Sequence, residues 1–210
     1  MQSDRVVIRT GALIVAAGKS SRMGDFKPLL KVGNMTMIMR VINRMKMVKA
    51  HPIVVVTGFK SQLIEEHLKD EDIIMVYNEK YETTQMLDSL VLGMEKLQGK
   101  CEQVLFSPSD VAVTNMDTVQ KIMDANGLFV RPMYQNEPGH PVRFSMDLYE
   151  KIKAYQGHGG LKACIESNGI AITELEVEDI GIVMDSDTHE DYVKVNKYWA
   201  ELIDKKGNDS

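Results

Sequence analysis

The sequence predicts an α/β fold, a doubly wound and mostly parallel sheet, and three observations lead there. Short apolar runs alternate with segments of helical spacing along most of the chain. The runs are apolar at successive positions rather than alternate ones, as in strands covered on both faces. The helical segments are long enough to carry the chain back across a sheet, so neighbouring strands run parallel through right-handed crossovers.

Taken in order, "ALIVAA" is the first buried strand. "MTMIMRVINRMKMV", residues 35–48, has apolar residues at helical spacing, and its methionines read as core filler with some scope for a subunit contact. "PIVVVTG" is a second strand, and "SQLIEEHLKD" a helix opened by Ser61 as N-cap. "DIIMVYN" is a strand, "MLDSLVLGMEKL" a helix, and "EQVLFS" a strand that ends before Asp110. "NMDTVQKIMDAN" closes the series as a helix capped by Asn115.

From Gly127 the rhythm changes. "GLFVRPMY" and "HPVRF" are short strands around the turn "QNEPG". "MDLYEKIKAY", the loop "QGHGG" and a short helix in "LKACIES" follow. "AITELEV" and "GIVMD" read as strands, and a last helix runs from Thr188 to about Asp204. Only the tail "DKKGNDS" has the composition of a disordered segment.

The totals bound the function. A chain of 210 residues makes one domain of good size. Its net charge of −5 excludes a general trap for polyanions, so any phosphate must be held locally by a few cations and backbone N–H groups. Neither nucleic acid nor membrane is an expected partner. Cys101 and Cys164 lie far apart with no C-x-x-C pair, as in a reducing compartment, and His51, His67 and His158 show no metal-ligand spacing. With no apolar run near 18 residues and no signal-peptide pattern at residues 1–11, the expected location is cytoplasmic.

The chemistry is concentrated in "LIVAAGKSSRMGDFKPLL". In an open parallel sheet, ligands bind beyond the carboxyl ends of the strands, where this loop leaves the first strand. Gly18 and Gly24 allow sharp turns and close approach, Ser20 and Ser21 offer hydroxyls, and Lys19, Arg22 and Lys27 offer charge. Two familiar phosphate loops are excluded by spacing. A P-loop needs glycine where Leu13 stands, and G-x-G-x-x-G fails at Ser20. On composition alone a solvated basic loop stays open as the rival reading.

The stretch resembles the signature of the MobA-like nucleotidyltransferases, L-x-A-A/G-G-x-S-x-R-M-G-x-x-K, with Gly18, Ser20, Arg22, Met23, Gly24 and Lys27 in place. Weaker similarity continues through nearly the whole chain, and the cytidylyltransferase branch that acts on molybdenum cofactor is the nearest in pattern. The resemblance implies a Rossmann-like nucleotidyltransferase fold in one domain, residues 1–210, with residues 10–126 as nucleotide-binding half and 127–204 as acceptor-binding half. It implies transfer of CMP from CTP to a phosphorylated acceptor, molybdopterin first, with release of pyrophosphate. A sugar, polyol or choline phosphate acceptor and a non-catalytic binding module remain as alternatives. A molybdoenzyme is a possible protein partner.

The same resemblance assigns Ala16, Ala17, Gly18, Ser20 and Gly24 to the nucleotide, Arg22 to its triphosphate and Lys27 to charge developing at the α-phosphate. Ala17 in A-A-G goes with pyrimidine nucleotides. Mg²⁺ would be held by Asp110 in "SPSDVAVT" and by Asp187 or Asp185 in "VMDSDTHEDY", with Asp187 favoured. The pattern departs from the family at Ala112 and His189, where proline is usual. Asp187 or Thr188 capping the last helix is the competing role there. Ser89, in the S-L-x-x-G match that ends at Gly93, would touch base or ribose, or else simply face solvent. Gly139 and His140 in "PGHPVRF" would face the second substrate, with a structural histidine as the rival.

Overall fold

The computed structural model describes residues 8–19 and 23–208, with side chains described to residue 204. The chain runs β1 (Thr10–Ala16), a hairpin of β2 (Lys31–Val32) and β3 (Met35–Thr36), α1 (Met37–Met47), β4 (Ile53–Thr57), α2 (Ser61–His67), β5 (Ile74–Tyr77) and α3 (Met86–Leu97). It continues through β6 (Gln103–Pro108), α4 (Met116–Asp124), β7 (Phe129–Tyr134), β8 (Glu137–Pro138), β9 (Val142–Ser145), α5 (Tyr149–Ala154), α6 (Gly160–Ser167), β10 (Ile172–Glu176) and α7 (His189–Asn208).

The main sheet has the order β10-β7-β9-β6-β1-β4-β5, with β8 paired to β7. β6, β1, β4 and β5 are mutually parallel. β9 runs antiparallel to β6 and β7, and β10 runs parallel to β7. The order turns outward in both directions from β1, which makes its carboxyl end the place where two loops diverge and leave a crevice.

Pleating sends alternate residues of β1 to opposite faces, and both faces are covered. Leu13 and Val15 pack with Leu87, Leu90 and Met94 of α3 and with Ile152 and Ile165 of α5 and α6. Ala12, Ile14 and Ala16 pack with Ile38, Val41 and Ile42 of α1, Ile64 of α2 and Val119 of α4. Gly93 lets α3 lie against β1: a Cβ there would sit 2.1 Å from a methyl of Leu13. That close approach accounts for the glycine of the S-L-x-x-G match.

Several expectations are corrected at element boundaries. "GIVMD" is not a strand: Ile180–Ile182 forms a 3-10 turn, because Asp179 accepts a hydrogen bond from the Gly181 N–H at 3.0 Å and closes the chain locally. Ser61 is the first residue of α2, not its cap; Lys60 holds that position in a left-handed conformation. Asn115 occupies the N-cap of α4 without a capping side-chain bond, its own N–H being bound to Asp179 at 2.8 Å. Residues 35 and 36 belong to the hairpin, and α7 carries the expected disordered tail in helical form through Asn208. Among the described residues, no helix is long and apolar enough to cross a membrane.

Candidate active site

Beyond the carboxyl ends of β1 and β6 lies a cavity of about 310 Å³. Ala16, Ala17 and Gly18 line it as β1 gives way to its loop, and Lys27, Asp110, Asp187 and Ser89 line it from four other segments. The β1 and β6 exits are tied together: the Ser109 N–H donates to the Val15 carbonyl at 3.0 Å. Asp110, next in the chain, is thereby held beside the start of the glycine loop.

Lys27 sits at the first position of a 3-10 turn with Pro28 behind it, and only 8% of its surface is exposed. Its Nζ lies 2.5 Å from Asp187 Oδ1 and 3.4 Å from Asp110 Oδ2. Burial pulls the ammonium down. The hydrogen bond to Asp187 and the charges of Asp110 and Asp187 together outweigh that pull and hold Lys27 above its ordinary value. Lys27 is therefore a fixed cation at neutral pH.

Asp185 remains exposed and does not line the cavity. Its carboxyl is raised first by partial burial and then by the charges of Asp187 and Asp110, with solvent tempering both. Asp187 is the member of the pair that faces the cavity. The competing role of helix cap falls to its neighbour: Thr188 Oγ1 accepts from the Asp191 N–H at 3.2 Å, and Asp191 Oδ2 accepts from the Thr188 N–H at 3.1 Å. This reciprocal cap leaves Asp187 to Lys27 and the cavity.

No cluster of three or more metal-ligating side chains is preformed among the described residues. Asp110 and Asp187 instead meet on one lysine, with Asp185 adding to the negative field. That arrangement suits a hard cation bound through one or two carboxylates and completed by substrate oxygens and water.

Ser89 is buried, not solvent-facing. Its Oγ accepts from Asn78 Nδ2 at 3.0 Å, which leaves its own O–H free to donate into the cavity it lines. Asn78, buried after β5, also donates to Thr84 Oγ1 at 2.9 Å, and so pins the turn that leads into α3. Sequence reasoning missed Asn78 and Tyr81, and it noted Thr84 or Gln85 only as standing where relatives often carry glycine; Tyr81, Thr84 and Gln85 line the cavity. The signal was available: a polar residue at the carboxyl end of a parallel strand.

A second cavity of about 330 Å³ adjoins the first and shares Gln85 and Met86 with it. Its walls are apolar, with Leu87, Leu90, Phe106 and Phe129, and Arg131 and Lys162 add cationic groups. Both were missed, because neither lies in a recognisable motif. Arg131 is paired with Glu174 of β10. Gly139 and His140 do line this cavity. Gly139 has room for nothing larger, since a Cβ would lie 2.5 Å from the Ile182 carbonyl oxygen. The His140 ring meets Phe106 edge-on, with centroids 5.4 Å apart, and its Nδ1 has no hydrogen-bond partner among the described residues. Its surroundings are protein on nearly every side despite the part open to the cavity. That burial pushes the imidazole down to about 4, so it is neutral at physiological pH.

Gly24 takes a positive φ of 77° just before Lys27. Ser20 and Arg22 lie outside the described residues. The structure thus brings Ala16, Ala17, Gly18, Lys27, Ser89, Asp110 and Asp187 into one cavity, puts Gly139 and His140 in the next, and leaves Asp185 at the edge.

Residues 12–174 match the MobA-like NTP transferase domain, and the chain belongs to that family. It is 25% identical over 193 residues to the molybdenum cofactor cytidylyltransferase of Escherichia coli K12, covering 90% of this chain and 97% of the relative. Among solved structures it resembles a nucleotidyl transferase from Methanothermobacter thermautotroptrophicus, with a TM-score of 0.81 at 19% identity over 92% of this chain and 99% of the other. It also resembles 4-diphosphocytidyl-2C-methyl-D-erythritol synthase from Anaerococcus prevotii, with a TM-score of 0.74 at 18% identity over 91% and 96% of the two chains. The last two likenesses speak to the fold.

Proposed function

We propose that this nucleotidyltransferase moves CMP from CTP to a phosphorylated acceptor, and that the acceptor is a molybdopterin-type cofactor. The observation that carries the reading is the convergence of Lys27, Asp110 and Asp187 at the mouth of the glycine loop, beside a second cavity of comparable size. The cytidylyl relative that spans nearly the whole chain supports both the nucleotide and the acceptor.

An acceptor phosphate oxygen attacks the α-phosphorus of CTP, and pyrophosphate leaves. Both groups are anions, so the protein's tasks are neutralisation and in-line positioning. The buried ammonium of Lys27 is preorganised against the charge that develops at the α-phosphate; Asp110 and Asp187 hold it in place. Arg22 and the loop from Ala17 to Gly24 are assigned to the triphosphate, and Ser89 to base or ribose. Asp110 and Asp187 would hold Mg²⁺, with Asp185 contributing field rather than a ligand. When bound, the cation screens the phosphate charge and polarises the α-phosphoryl group.

Residues 10–126 form the nucleotide half and 127–204 the acceptor half in this reading, with Gly139, His140, Arg131 and Lys162 facing the acceptor. The neutral imidazole of His140, hydrogen-bonded to the Phe106 backbone, adds no charge to the apolar wall, which suits a flat heterocycle. The test is pyrophosphate release measured with each nucleoside triphosphate, with Mg²⁺ and Mn²⁺ in turn, and with molybdopterin-type and sugar or polyol phosphate acceptors. Release with CTP and the pterin acceptor above all other pairs is expected. Release with a sugar or polyol phosphate alone overturns the acceptor, and no release with any pair overturns the enzyme.

A further inference from the structure

A third cavity, of about 300 Å³, shares no lining residue with the other two. It lies between α1, the segment that enters α4, and the outer half of α7. Two arginines of α1 reach it, Arg40 and Arg44. The Arg40 guanidinium stacks on Trp199, 3.5 Å from the ring centroid, and donates through Nε to the Val32 carbonyl at 2.6 Å. Arg44 donates through Nε to the Thr114 carbonyl at 2.6 Å, and its buried Nη1 has no partner among the described residues.

Neither arginine forms an ion pair among the described residues. Burial and then the neighbouring charge of Arg40 push Arg44 down to about 10. The acid that acts on Arg44 is Asp179, and its carboxylate already accepts from the N–H groups of Asn115 and Gly181 and from the Tyr198 hydroxyl. A void of about 10 Å³ also touches Arg44, room for one water. A water would satisfy a donor but would add no negative charge, and Asp179, the acid that acts on Arg44, is already committed to three other donors. Buried charge without an ion-paired partner is costly, and a ligand of opposite sign would relieve that cost. The rest of the wall is apolar: Met35, Met116, Leu202 and Ile203 face the space, and Met35 and Ile203 are also exposed to solvent.

We propose that this cavity is a second ligand site, for a small anion carrying a short apolar tail. Its head would lie on Arg44 and Arg40 beside the first turn of α4, and its tail along the methionines and α7. Guanidinium forks recognise carboxylate and phosphate alike, so the head is either, and the tail separates such a ligand from free phosphate.

Trp199 is the single tryptophan of the chain and lines the site, so intrinsic fluorescence reports occupancy directly. The full chain is titrated at fixed ionic strength with hexyl phosphate, hexanoate, inorganic phosphate and hexanol. Expected is a saturable change with hexyl phosphate or hexanoate in the millimolar range or tighter, and none with inorganic phosphate or hexanol over the same range. Arg44→Gln should abolish it. Because that variant removes a buried group, Ile203→Glu serves as the second: it sets a carboxylate at the exposed mouth, and should weaken the anionic probe at least about tenfold with an unchanged melting temperature. Four results overturn the proposal. They are no saturable change with any probe, hexanol or inorganic phosphate binding as well as hexyl phosphate, unaltered affinity in Ile203→Glu, and a fluorescence shift on diluting the protein alone, which assigns the groove to a second copy.

Discussion

The two adjoining cavities at the sheet's edge are built by different means. The first takes Lys27, Asp110 and Asp187 from loops that follow, or pack on, the ends of β1 and β6, and its defining contacts are between charges. The second is walled by Phe106, Phe129, Leu87 and Leu90, and its one histidine is held neutral. Charge neutralisation at a phosphoryl group needs few, fixed ions, whatever the acceptor. Recognition of a particular acceptor needs shape and a few hydrogen bonds, which many side-chain sets can provide. Under the proposed function, the contrast would place rate in the first cavity and acceptor choice in the second.

The largest effect should come from the charged side. Lys27→Ala and Asp110→Ala should each lower kcat at least about a hundredfold with saturating Mg²⁺, since losing one preorganised electrostatic contact costs roughly 3–4 kcal/mol. Asp187→Asn should fall much further than Asp185→Asn, because only Asp187 faces the cavity. Near-normal turnover in Lys27→Ala, or equal losses in the two aspartate variants, would break the assignment of rate to this cavity.

The dry side should show itself in acid. His140 titrates near 4 in the folded chain and near 6.5 when unfolded, so between those values the unfolded state binds more protons. Its contribution to stability is therefore intact above about pH 6.5 and is lost as pH falls toward 4, up to roughly 3 kcal/mol. Denaturant melts of wild type and His140→Phe across that window measure the difference. The variant should lose less stability on acidification, and parallel curves would show that His140 is not held neutral.

A smaller effect concerns the base. Ala17 lines the first cavity with its surface almost wholly buried, so its methyl group narrows the space where a base would lie. Wild type should favour CTP over GTP in kcat/KM, and Ala17→Gly should shrink the ratio, within the roughly 1–3 kcal/mol that one small apolar group supplies. An unchanged ratio moves base reading to Ser89 and the turn pinned by Asn78. The smallest change should come from Lys162→Ala, which removes one exposed cation from the second cavity. We expect the acceptor KM to rise about tenfold while the CTP KM stays fixed, about 1.4 kcal/mol. A rise in the CTP KM instead would merge the two cavities into one functional unit.

The alternating core was legible because both faces of β1, β4 and β6 are buried, so apolar runs appear as unbroken strings. The loop residues of the first cavity were legible because they lie within one contiguous motif. The boundaries that misled are places where a tertiary partner overrides local preference. Asp179 turns Ile180–Ile182 into a 3-10 turn by capturing the Gly181 N–H, and the same carboxylate takes the Asn115 N–H at the start of α4. Thr188, one residue from a candidate ligand, carries the cap that the sequence could equally have given to Asp187.

By itself, then, the sequence determined the fold class, the alternation of the main strands and helices through α4, the glycine loop at the end of β1 and the residue types gathered around it. These follow from periodicity and short-range spacing, which a single chain displays directly. Only the tertiary structure decided that Asp187 rather than Asp185 meets Lys27, that Ser89 is held by Asn78, and that Arg131, Lys162 and His140 share one cavity. It alone set Arg40 and Arg44 together with no ion pair to either among the described residues. Each of these depends on residues distant in the chain meeting at a few ångströms, and the strength of charge and hydrogen bonding there is set by burial, which no local pattern encodes.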